Sequence, residues 1–154
     1  MFKHVLIPLD GSEIAEKAID YARHITDPNG GHITLLTALD VPEYPPAMYY
    51  PAGVAAYEIN QQTMNEQVIP QAQEYLQRIA ESFKDAGYIT HIEAIIGDPA
   101  QTIVEHAEKH EADAIVMSTH GRTGFSRWLF GSVALKVLGS ARCPVFIVPA
   151  RCQS

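Results

Sequence analysis

Two hydrophobic rhythms alternate along the chain. Residues 3–9, "KHVLIPL", form a short apolar run of the kind a strand shows when both faces are covered. The run stops at "DGS", where Ser12 suits a helix cap and Glu13 favours a first helical turn. Over residues 12–26 the period changes, with Ile14, Ala15, Ala18, Ile19, Ala22 and Ile25 recurring at helical spacing. Pro28 and the glycines of "DPNGG" then end the helix. Further strands are predicted at "HITLLTAL", "YITHIEAII", "ADAIVMST" and "PVFIVPA". A mostly helical stretch is predicted over residues 59–86, with Ala72, Tyr75, Leu76, Ile79, Ala80 and Phe83 on its apolar side and Gly87 at its end. Pro70 inside it demands either a kink or a junction of two helices, because proline lacks the backbone donor. Asp98 and Pro99 open another helix, which buries Ile103, Val104 and Ala107, and a last one is predicted from about Gly131 to Ser140.

Strands separated by amphipathic helices are the signature of an open, mainly parallel sheet covered on both faces. Five such strands in 154 residues fill a single domain, residues 1–154. One segment departs from the rhythm. Residues 40–58, "DVPEYPPAMYYPAGVAAYE", carry four prolines, four tyrosines and Met48, the composition of either a contact flap or a loop folded onto its own domain.

The formal charge of −7 argues against a nucleic-acid partner, which needs Lys and Arg concentrated along one face. It leaves room for a small anion, because a helix N-terminus makes a local positive spot on an acidic protein. No apolar run is long enough for membrane insertion and the start lacks a signal-peptide core, so a cytoplasmic protein is expected. Cys143 and Cys152 provide neither a disulfide framework nor a four-ligand metal pattern, and Cys143 reads as buried filler. His24, His32, His91, His106 and His110 are scattered along the chain, so no zinc centre is expected.

In a sheet of this kind ligands favour the crevice beyond the C-terminal strand ends. Residues 117–132, "MSTHGRTGFSRWLFGS", lie at one such end. Gly131 would let the backbone approach a phosphate while the N–H groups of Ser132 and Val133 point out of the new helix. The string lacks the Gly-Lys-Ser/Thr of a P-loop, and no G-x-G-x-x-G follows the first strand. The residues themselves therefore leave a phosphate cradle and an ordinary capped turn both open. No catalytic triad can be assigned.

Three stretches carry a resemblance: "VLIPLDGS", "GDP", and "STHGRTGFSRWLFGSVALKVLGSARCPVFIVP". Together they resemble the universal stress protein family over essentially the full chain. The resemblance implies a doubly wound, Rossmann-like sheet of five parallel strands in the order 3-2-1-4-5, and commonly a homodimer formed through the C-terminal strand. Many members with this glycine pattern bind ATP or AMP, with Mg or Mn at the phosphates. The family pattern runs Gly, two residues, Gly, nine residues, then Gly followed by Ser or Thr. Here Ser118 occupies the first position, whereas Gly121, Gly131 and Ser132 match the rest.

Carried over residue by residue, the resemblance implies that Asp10 lies near the adenosine or metal end and that Pro8 shapes the same turn. Ala38 would read the adenine edge through its backbone, and Met117 would line the base or ribose pocket. Ser118 and Gly121 would approach ribose and phosphate, and Gly131, Ser132 and Val133 would cradle phosphate oxygens. Arg122 and Arg127 would reach the phosphates or face solvent, with Trp128, Leu129 and Phe130 packing the connecting loop. The function implied is adenine-nucleotide sensing or regulation in the stress response, with at most slow ATP hydrolysis. The alternative is a nucleotide-independent homodimeric interaction protein with an unidentified protein partner.

Overall fold

The computed structural model describes residues 1–40, 61–84, 86–119 and 131–150. Its strands are β1 (His4–Pro8), β2 (His32–Leu39), β3 (Ile89–Ile96), β4 (Ala114–Ser118) and β5 (Val145–Val148). The helices between them are α1 (Glu13–Ile25), α2 (Ile69–Glu81), α3 (Pro99–Lys109) and α4 (Ser132–Ser140). All strands pair in parallel, in the order β3-β2-β1-β4-β5. This is the order that the resemblance implies, and each strand lies within a residue or two of its predicted bounds.

Side chains alternate across the sheet, so β1 serves two cores at once. Val5 and Ile7 face α1 and α2, where they meet Ala18, Ala22, Leu76 and Phe83. Leu6 faces α3 and α4, beside Leu36, Ile103, Ile115 and Val137. Val5, Leu6 and Ile7 are all fully buried, which explains why the central strand is a continuous apolar run. β3 is an edge strand, and its residues alternate between exposed and partly buried over its first half.

The chemistry of the helix ends follows the sequence closely. Ser12 Oγ accepts from the Ala15 N–H at 3.1 Å, and Asp98 Oδ1 accepts from the Gln101 N–H at 2.9 Å. Gly87 follows α2 with φ +80°, and a Cβ there would run into the Pro28 carbonyl. The Pro70 question is resolved by a π-helical turn, Met64–Val68, in which the Ile69 N–H reaches back to Met64 O. Pro70 then falls in the first turn of α2, where its missing N–H leaves no gap in the ladder. Among the described residues, no helix is long and apolar enough to cross a membrane.

Candidate functional site

A cavity of about 270 Å³ opens at the C-terminal ends of β1 and β4, where the strand order reverses direction. β1 and the residues after it contribute Pro8, Leu9 and Asp10, β2 contributes Leu36 and Ala38, and β4 contributes Met117 and Ser118. The start of α4 contributes Gly131, Ser132, Val133 and Ala134, and α1 and α3 close the wall with Ala15, Pro99 and Ile103. Pro8, Asp10, Ala38, Met117, Ser118, Gly131, Ser132 and Val133 are thus brought together from four separate parts of the chain. Gly121 and Arg122 lie outside the described residues, as do Arg127, Trp128, Leu129 and Phe130. Sequence reasoning missed Leu9, Ala15, Leu36, Pro99, Ile103 and Ala134. Their only signal was the apolar periodicity that assigned most of them to the core.

Three helices begin around this opening, and their ends differ. At α1, Asp10 Oδ1 accepts from Ser12 N at 2.9 Å and from Ser12 Oγ at 2.6 Å, and Ser12 in turn caps the helix. At α3, the Asp98 carboxylate provides the cap. α4 instead starts at Gly131, with no side-chain cap and no acidic residue in its first turn. Its leading N–H groups and the positive end of its dipole are therefore left for whatever occupies the cavity.

Ser118 is only 9% exposed and forms part of the cavity wall. Asp10 is the only ionisable residue among the described cavity walls, and one of its oxygens is committed to Ser12. The cavity is otherwise largely apolar. It offers a surface for a flat apolar group next to a site for negative charge.

Histidines scattered along the chain come together in space. His4, His32 and His91 lie on adjacent strands, and His106 and His110 come up to them from the far end of α3. His4 Nδ1 donates to His110 O at 3.1 Å, which leaves Nε2 to accept from Thr34 Oγ1 at 2.9 Å. Burial holds the His4 and His106 imidazoles below their ordinary value of 6.5, reinforced by neighbouring histidines. The cluster was invisible in the sequence because strand register, not spacing, assembles it. Among the described residues, no group of three or more His, Cys, Asp or Glu is arranged to hold an ion. Cys143 is partly buried, and burial pushes its thiol up, away from the reactive thiolate.

Comparison with known proteins agrees with this architecture. The model of the universal stress protein family matches residues 1–149. Universal stress protein MJ0531 of Methanocaldococcus jannaschii is 35% identical over 148 residues, covering 96% of this chain and 82% of that protein. The solved structure of hypothetical protein MJ0577, from the same organism, is 27% identical with a TM-score of 0.81, covering 100% of this chain and 99% of that one. A universal stress protein solved in complex with cAMP is similar in fold, at 23% identity and a TM-score of 0.63, over 97% of this chain and 98% of that one. Matched along nearly its whole length in sequence and in the path of its sheet, the chain belongs to the universal stress protein family.

Proposed function

We propose that the protein binds an adenine nucleotide, ATP or AMP, in the cavity between β1 and β4 and acts as a cytoplasmic sensor or regulator in the stress response. The observation that carries this reading is the uncapped N-terminus of α4 opening onto an apolar cavity at the switch point of the sheet. The N–H groups of Ser132 and Val133 would receive phosphate oxygens, and Gly131 would admit them without a Cβ. Leu36, Ala38 and Met117 supply apolar surface for the base. The structural neighbour solved with cAMP lends support to an adenine ligand. Gly121 and Arg122 would complete the phosphate side.

Mg or Mn would be held chiefly by phosphate oxygens and water, with Asp10 as the adjacent carboxylate. Asp10 has one oxygen engaged by Ser12, and no second ionisable group in the described walls serves as a base. Hydrolysis is accordingly slow at most. Titration of nucleotide-free protein with ATP and with AMP should give saturable heats, and Gly131→Ala should weaken them. Absence of binding at millimolar nucleotide would overturn the reading.

A homodimer through β5 is a second proposal with its own observations. β5 is an edge strand, Phe146 on it is 39% exposed, and Leu135 and Leu138 of α4, the helix on the opposite face, are exposed as well. An apolar open edge is relieved when two copies pair along it. Such a dimer would also serve the nucleotide-independent reading, in which the paired surface receives another protein.

A further inference from the structure

His32 and His91 stand apart from the rest of the histidine cluster because each faces the other. His32 Nδ1 and His91 Nε2 are 3.3 Å apart, the ring planes differ by 8°, and the ring centres are 5.5 Å apart. That centre-to-centre separation, with the nitrogens so close, is reached only when both nitrogens lie near the line joining the rings. The two imidazoles therefore lie end to end in nearly one plane. Only one hydrogen fits between them, since an N–H on each would collide.

We propose that His32 and His91 form a binding site for a late first-row divalent metal ion of the zinc type, with water completing its coordination. With metal–nitrogen bonds of about 2.0–2.1 Å, nitrogens at the observed spacing subtend roughly 107° at the ion, close to tetrahedral. Each ring has to swing out of line by about 35° so that both lone pairs meet at the ion rather than at each other. His91 lies on an edge strand and is exposed, and His32 is half-buried, so neither swing breaks the core. The His4 ring meets His32 edge-on, at 6.1 Å and 63°, and limits where that ring can go.

His4 itself is not a ligand, because both of its nitrogens are engaged by His110 O and Thr34. Glu93 follows His91 on the same face of β3 and is exposed, adding negative charge near the ion. With two protein ligands the site keeps open positions and exchanges its metal readily. It uses imidazole nitrogens at the N-terminal end of β2, whereas the proposed nucleotide site uses the C-terminal strand ends. A Mg ion at nucleotide phosphates would not compete for it, since hard cations prefer oxygen.

The test uses the full, untagged chain. Zinc titrated by calorimetry should bind with micromolar affinity at one equivalent, and the imidazole NMR signals of His32 and His91 should shift together while those of His24 on α1 stay in place. His32→Gln and His91→Gln should each weaken binding at least about tenfold, and His24→Gln should leave it unchanged. Magnesium should produce none of these effects. The proposal is overturned by an absence of saturable zinc binding up to millimolar concentration, by binding that survives both substitutions, or by shifts confined to other histidines.

Discussion

Ser118 puts a side chain where the family pattern has glycine, and the fold sets it on the wall of the cavity. A hydroxyl on that wall is placed to exchange water for a hydrogen bond to a bound ligand. Ser118→Ala is therefore expected to lower nucleotide affinity by about five- to tenfold, roughly 1 kcal/mol, while leaving the stability of the ligand-free protein nearly unchanged. Calorimetry paired with thermal melting checks both outcomes, and unchanged or tighter binding would refute the assignment. His4 and His106 make a separate prediction. Their folded-state proton affinity is depressed, chiefly by burial, so below about pH 6.5 the unfolded chain takes up more protons than the folded one. Their contribution to stability is fully present above that pH and is lost as the pH falls further. Urea midpoints at pH 7.5, 6.5 and 5.5 should decline in that order, and His106→Gln should flatten the decline.

At the level of elements, α3 depends on the capping residue before it, Asp98, more than that residue's exposed position suggests. Asp98 caps the helix and lies 4.0 Å from Lys136, an exposed pair that contributes little on its own. Asp98→Ala should cost about 1 kcal/mol, or about 2–4 °C in melting temperature, and Asp98→Asn should recover most of it. A loss in the Asn variant equal to that of Ala would point to charge and not to the cap. Elements such as this one were legible in the sequence because their signals are local: a cap, a proline in the first turn, an apolar run. Of the residues expected at the site, eight line the cavity; six of them lie in the quoted motifs, whereas Ala38 and Met117 came from the resemblance alone. The cavity walls Leu36 and Ile103 were not legible, since a residue that lines a ligand site and one that fills a core have the same apolar pattern. Pro70 was legible as a disturbance but not as a π-helical turn, because both solutions satisfy the missing donor. The Pro/Tyr segment read as a flap or folded loop lies outside the described residues, apart from Asp40.

For the molecule as a whole, the two ends of the sheet carry different chemistry: an uncapped helix N-terminus at one and an imidazole cluster at the other. The exposed β5 edge adds a third surface, and the proposed pairing through it predicts a dimer in sedimentation velocity at micromolar protein. Phe146→Lys should shift the population toward monomer without unfolding it, and a wild-type chain that sediments as a monomer would remove the proposal. The central place of β1 has a consequence for the chain as it is made. First of the five strands to be made, β1 can pair with β2, and β2 then with β3, but the other neighbour of β1 is not complete until Ser118 has been added. Leu6 and Leu36, on the face that α3 and α4 will cover, must wait for Ile115 and Val137. Until β4 and α4 are made, the half-built sheet therefore has one bare apolar face and an open edge along β1, the condition in which a nascent chain depends most on being shielded from its neighbours.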